Sequence, residues 1–253
     1  MNKSTLSFPR IYKHVFHTEG WLSEKEAKFL YQMAQKGLSN GEIVEIGSWK
    51  GKSTICLAAG SKLANKQKVY AIDPHQGTYS IDNNKNTKTQ PTLKDFKANL
   101  KLAGVADWVV PVVKTSKEAS KNWNKKIRLL FIDGLHDYQN VSLDFKLWSK
   151  YLAKGGLIAL HDSYVGYKGP QRVFNENILK NSNFSSFGVV SSILYAQKMP
   201  AMTFWEKIDS NRFKLLIPLI TKLANFKYPD KLAFLIFHKT YFFLFSQFII
   251  FLE

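Results

Sequence analysis

Three acids in this chain stand just past short apolar runs: Asp73 after Val69-Tyr70-Ala71-Ile72, Asp133 after Leu129-Leu130-Phe131-Ile132, and Asp162 after Ile158-Ala159-Leu160-His161. A fourth, Glu45, lies inside the run that leads into Gly47, and an imidazole, His136, follows Asp133 by three residues. Carboxylates at strand tips can accept hydrogen bonds from ribose hydroxyls or hold a divalent cation. An imidazole, with an ordinary pKa near 6.5, can take a proton near neutral pH. For His136 the alternative is a ring hydrogen-bonded within a loop. An Asp before Pro, as at Asp73-Pro74, is by itself more often a turn former.

The segment Glu42-Ile43-Val44-Glu45-Ile46-Gly47-Ser48-Trp49-Lys50-Gly51-Lys52-Ser53-Thr54 reads as strand, glycine turn and helix start. A dinucleotide fingerprint needs a second glycine two positions after the first, where backbone meets pyrophosphate. Bulky Trp49 stands there instead, and the next glycine is Gly51. Such a loop suits a ligand with an adenosine and an amino acid but no phosphates, which describes S-adenosylmethionine (SAM). The alternative is an ordinary strand–turn–helix. Asp73 lies 26 residues after Gly47, near the spacing of about 20 for a ribose-binding acid. Gly47, Ser48, Gly51, Asp73 and Ser116, with Glu45, Ser53 and Asp133, form the candidate cofactor site. Ser116, at the end of the next strand, is placed to approach the adenine edge.

Four motifs occur in order: E-I-G-S-x-x-G-x-S (residues 45–53), A-I-D-P (71–74), I-D-G-x-H-x-Y (132–138) and G-G-x-x-x-x-H-D (155–162). In this the chain resembles class I SAM-dependent methyltransferases, in particular a bacterial O-methyltransferase subgroup related to the catechol O-methyltransferase type. The resemblance covers roughly residues 21–204. It implies methyl transfer from SAM to a hydroxyl-bearing acceptor, foremost a sugar hydroxyl of a glycan or glycolipid precursor. The alternatives are a small phenolic acceptor, or an idle scaffold that binds membrane or nucleic acid. It further implies His136 as catalytic base and Asp133 and Asp162 as ligands of Mg²⁺ or Mn²⁺. Metal-dependent relatives carry an amide or a second acid beside the latter aspartate. Here the neighbours are His161 and Ser163, and imidazole favours Mn²⁺ or Zn²⁺ over Mg²⁺.

The elements that must position these groups alternate. Strand-like runs at residues 42–46, 68–72, 108–113, 128–132 and 157–160 are separated by helical patterns. Such alternation predicts an α/β, Rossmann-like, doubly wound and mostly parallel sheet, whose ligands gather at the carboxyl ends of the strands. Ser23-Glu24-Lys25-Glu26 is a capping box opening an N-terminal helix. Tyr138, Val141, Phe145, Trp148 and Leu152 make a helical stripe that reads as core. Residues 76–90 are polar and read as a mobile loop, either a lid or a passive insertion, while Gly155-Gly156 reads as a turn before the last strand. Three segments follow: 1–40 N-terminal helical, 41–205 SAM-binding, and 206–253 a Phe-rich, basic, helical C-terminal extension.

The balance of 36 Lys+Arg against 19 Asp+Glu gives a net charge of +17, which attracts anions. An alternative is simple solubility. The absence of the Asn/Asp-Pro-Pro-Tyr box of base amino-methylating enzymes, and of zinc spacing or RNP aromatics, argues against nucleic acid as partner. One cysteine, Cys56, excludes an internal disulfide and reads as a buried thiol. The first residues lack the apolar run of a signal peptide, which predicts a cytoplasmic protein. Eight of the 19 Phe fall between Phe226 and Phe251. The tail could pack on its own domain or in a homodimer, lie peripherally on the anionic inner membrane face, or span it. Lys239 within the apolar run weighs against spanning.

Overall fold

The computed structural model describes residues 3–36, 39–77, 79–82, 85–88, 90–164, 167–199, 207–208 and 211–216. A seven-stranded sheet forms the centre. In chain order its strands are β1 (Glu42–Ile46), β2 (Val69–Ile72), β5 (Val109–Val112), β6 (Ile127–Ile132), β7 (Leu152–Leu160), β8 (Phe184–Val190) and β9 (Ile193–Lys198). Their spatial order is β5-β2-β1-β6-β7-β9-β8. The first five are parallel, while β9 runs antiparallel to β7 and β8. The strand order reverses between β1 and β6, and ligands of doubly wound sheets bind at that switch point.

Helices cover both faces. On one lie α1 (Phe8–His17), α2 (Glu24–Lys36), α3 (Lys52–Leu63) and α4 (Leu93–Leu102), whose Ile11, Leu30, Leu57 and Phe96 share a core with Ile43 and Phe131. On the other lie α5 (Ser116–Ser120), α6 (Tyr138–Trp148) and α7 (Lys168–Val173) with the π-helical turn Phe174–Leu179. There Val141, Phe145 and Trp148 pack with Val44, Leu130 and Ile158. β6 is buried at every residue, as a strand covered on both faces must be. The helical stripe is therefore core, and Cys56 is a buried thiol whose pKa burial pushes up.

Three expectations change. The N-terminal segment holds two helices; α1 forms because Ile11 and Val15, one turn apart, bury against α3 and its neighbours. The polar segment 76–90 contains a hairpin, β3 (Tyr79–Asp82) with β4 (Lys85–Lys88), Asp82 opposite Lys85. Tyr79-Ser80-Ile81-Asp82 alternates with the period of two that a strand needs. The insertion leaves and rejoins the fold at one point, where Thr92 N donates to His75 O at 3.1 Å and His75 Nδ1 lies 2.8 Å from Thr92 Oγ1. Finally, Gly155-Gly156 lies within β7. Ile127 pairs with Leu152 but Leu129 pairs with Leu157, so residues 153–156 bulge out of the ladder.

Phe213, at the start of the C-terminal extension, is buried and stacks on Phe187 of β8 at 5.5 Å. The Phe-rich run that motivated the membrane and dimer expectations lies outside the described residues. Among the described residues no helix is long and apolar enough to cross a membrane.

Candidate functional site

The carboxyl edge of the sheet carries the site. Backbone bonds extend the ladders past the strand ends: Gly47 N to Ile72 O at 2.9 Å, Asp133 N to Ile46 O at 2.8 Å, and His161 N to Ile132 O at 3.0 Å. Residues distant in sequence are thus held side by side. Gly47 has φ 84°, and a Cβ there would sit 2.1 Å from Asp133 O. Glycine is required because two strand tips touch. Gly51, also left-handed at φ 88°, opens α3.

Asp73 organises the loop. Its Oδ2 accepts from Ser48 N at 3.0 Å and Trp49 N at 2.8 Å, and its Oδ1 from His75 N at 2.6 Å. The loop amides therefore point at a carboxylate on the neighbouring tip, and Asp73 positions Ser48 and Trp49 as well as being a candidate ribose acceptor. Trp49 takes φ 41° and stacks on exposed Trp21 at 5.2 Å.

Three of the expected cofactor residues, Glu45, Ser53 and Ser116, are bonded to other protein groups. Glu45 is fully buried and accepts from the hydroxyls of Ser53 and Thr54 at the start of α3. Burial raises its pKa to about 8. Glu45 and Ser53 therefore brace the start of α3. Ser116 is the first residue of α5, four positions past β5, and its Oγ accepts from Trp148 Nε1 at 2.8 Å. It also bonds the buried Asp144, whose carboxyl burial pushes up to about 6. The preceding Thr115 caps α5 through a capping box with Glu118.

Asp133, His136 and Asp162 come together as expected. His136 Nε2 lies 3.6 Å from Asp133 Oδ1 and 3.5 Å from Asp162 Oδ2. Tyr167, more than half exposed, stacks on the imidazole with centroids 4.4 Å apart. The start of α7 presses on the same loop, since a Cβ on Gly169 would meet His136 O at 2.1 Å.

Two further members were missed in the sequence. His161 is buried, its Nδ1 3.1 Å from Asp133 Oδ1 and 3.5 Å from Asp162 Oδ2. Glu26 is buried behind it, Oε2 3.8 Å from His161 Nε2. Burial works against the His161 cation, but Asp133, Asp162 and Glu26 outweigh it and raise its pKa strongly. Burial likewise disfavours the Glu26 anion, but the His161 ring beside it and hydrogen bonds from Ser192 and Ser23 lower its pKa. Ser192 of the β8–β9 turn donates through N at 2.9 Å and Oγ at 2.7 Å to Glu26 Oε1. Ser23 N donates to Glu26 Oε2 at 2.8 Å. The capping box is real, and its acid also ties α2 to the β8–β9 turn; only the cap was visible as a local signal.

Glu26 therefore has a testable pH signature. Its carboxyl pKa is depressed by folding, so the stability it contributes is complete above the ordinary value of 4.5. That stability is lost as pH falls through the depressed value. Glu26→Gln is expected to cost about 2 kcal/mol at pH 7, with the gap to wild type closing below about pH 4. Urea denaturation of both proteins across pH checks this; a pH-independent gap contradicts the pairing.

Several buried polar atoms at this edge have no hydrogen-bond partner among the described residues: Ser48 Oγ, Trp49 Nε1, His75 Nε2, His136 Nε2 and His161 Nε2. Such atoms are rare in folded proteins and call for a reason. Asp133, His136 and His161 offer ligand atoms all within 4.8 Å of one another. Bonds of about 2.1 Å place neighbouring metal ligands about 3–3.4 Å apart, so the separations of 3.1–3.6 Å fit a cation. The donors of this group are one carboxylate and two imidazoles, with Asp162 Oδ2 3.5 Å from each ring.

Residues 44–163 match the family Methyltransf_24, described as a methyltransferase domain. Uncharacterized protein R132 of Acanthamoeba polyphaga mimivirus is 30% identical over 131 residues, 51% of this chain. The chain spans 54% of that relative's length. Among solved structures, the O-methyltransferase NovP is 15% identical with a TM-score of 0.60, covering 70% of this chain and 81% of its own. An O-methyltransferase from Bacillus cereus in complex with SAH is 20% identical with a TM-score of 0.53, covering 78% and 92%. These structural likenesses establish the fold. The family match makes residues 44–163 similar to a methyltransferase domain.

Proposed function

We propose that the protein is a SAM-dependent O-methyltransferase acting on a sugar hydroxyl of a glycan or glycolipid precursor. The observation that carries this reading is the joining, on one sheet edge, of the Asp73-bonded glycine loop to the Asp133–His136–His161–Asp162 cluster. The loop supports binding of the adenosine and methionine parts. The cluster supports removal of a proton from an acceptor.

SAM supplies an electrophilic methyl group on sulfur. The chain must align an acceptor oxygen behind that carbon and take its proton. An aliphatic hydroxyl is a much weaker acid than a phenol, whose pKa is about 10 in tyrosine. His136 Nε2 is the base, and Asp133 and Asp162 beside it stabilise the imidazolium that forms. The His161 cation balances their charge. Tyr167 holds the His136 ring by stacking. A divalent cation would be held by Asp133 and Asp162 with His161, and it would acidify the acceptor hydroxyl. A protonated His161 must first lose its proton to serve as ligand.

Release of S-adenosylhomocysteine (SAH) from SAM, measured against nucleotide sugars, glycolipid fractions and catechols, tests the function. Turnover with catechols alone transfers the assignment to the phenolic alternative. SAM binding without turnover on any acceptor supports an idle scaffold. The metal has its own test. Exhaustive chelation is expected to reduce turnover at least tenfold, with Mn²⁺ restoring it better than Mg²⁺. Full activity after chelation means that Asp133 and Asp162 serve only to orient His136 and the acceptor.

A further inference from the structure

A cleft of about 650 Å³ opens at the opposite edge of the sheet, where β1, β6 and β7 begin. Six strand residues of β6 separate it from Asp133, a span of about 20 Å at roughly 3.3 Å per residue. Lys125, Lys126, Lys150 and Lys154 line it, and none of its lining residues is acidic. The acid beside it, Glu42, is held by Lys125 at 3.6 Å. Lys125 also bonds Tyr70 Oη, and Lys150 lies over the Tyr151 ring at 4.9 Å. Lys126 and Lys154 are exposed, with no carboxylate partner among the described residues. Ser39 Oγ, also in the lining, is buried without a hydrogen-bond partner among the described residues.

We propose that this cleft binds a small diphosphate-bearing anion of the nucleoside diphosphate class, at a site separate from methyl transfer. Unopposed ammonium groups around a concavity favour phosphate oxygens. The volume falls within the roughly 300–1,000 Å³ usual for small-ligand sites. The half-buried Tyr151 ring, the Ser39 hydroxyl and the amides of Asn40 and Asn124 add an aromatic edge and hydrogen-bonding groups that suit a base and a sugar. The backbone under the lysines is fixed: Glu42 N donates to Lys126 O at 2.8 Å, and a Cβ on Gly41 would meet that same oxygen at 2.6 Å.

Calorimetric titration of the full chain with UDP and with pyrophosphate, in saturating SAH and about 0.1 M salt, is the test. Lys126→Ala/Lys154→Ala should weaken both at least tenfold. The control Lys13→Ala/Lys25→Ala, exposed lysines elsewhere, should leave both unchanged. SAH affinity, measured separately, should be equal in all three proteins, which shows that the fold survives. The proposal is overturned by no binding at millimolar UDP and pyrophosphate, or by equal weakening in both double variants, which would indicate general surface charge. Tighter binding of a short single-stranded RNA, lost in the cleft variant, would assign the cleft to nucleic acid and equally overturn it.

Discussion

Replacing His136 by Ala is expected to lower turnover by about 10²–10⁴ while SAM affinity stays within about twofold of wild type. The ring stands between Asp133 and Asp162, with Nε2 about equally far from both carboxylates, and makes no bond to the glycine loop. Its loss removes the proton acceptor and leaves the cofactor site untouched. His136→Gln keeps a polar group of similar size and should be nearly as impaired, because an amide cannot take up the proton. Single-turnover assays with saturating SAM separate this from binding defects. Near-normal turnover in either variant would return His136 to a structural role in its loop.

Asp73→Ala is expected to reduce SAM affinity by at least about 100-fold. Its carboxylate accepts three backbone N–H bonds, two of them from the loop, and hydrogen bonds to a charged group contribute about 1.5–3 kcal/mol each. Removing the acid leaves the Ser48 and Trp49 amides without an acceptor, and Trp49 already holds a left-handed backbone. The loop then loses its shape, and ribose hydroxyls lose their candidate acceptor. Asp73→Asn is expected to fall between, because the remaining amide oxygen can accept at one position only. Calorimetric SAM titration, with thermal unfolding to report the loop's contribution to stability, checks both variants. Unchanged SAM affinity in Asp73→Ala would remove Asp73 from the cofactor site.

Much of the fold was legible because the relevant signals are local. β1, β2 and β6 are short apolar runs, each followed by a turn within a few residues, and Asp73 and Asp133 stand directly past β2 and β6. The Val141-Phe145-Trp148 stripe has the helical period and is buried as that period requires. The order of the four motifs was sufficient to place Gly47, Asp133, His136 and Asp162 at one edge, since parallel strands joined by crossover helices present their carboxyl ends together. The hairpin in residues 76–90 was missed because its polar composition masked a period of two. Residues 153–156 were read as a turn because the bulge shows only in the pairing with β6.

What the sequence alone determined is therefore the five parallel strands and the chemical types at their tips. Tertiary structure alone decided which of those groups face one another. Glu26 reaches Ser192 across 166 positions and stands behind His161, so a helix cap became part of the active edge. Glu45 and Ser53 bond to each other, and Ser116 is taken by Trp148. Gly47 is obligatory because the carbonyl of Asp133 occupies the space of a side chain. Period and turn chemistry are carried by residues a few positions apart and can be read along the chain. Partners, burial and charge balance depend on register and packing between segments far apart, and no local pattern encodes them.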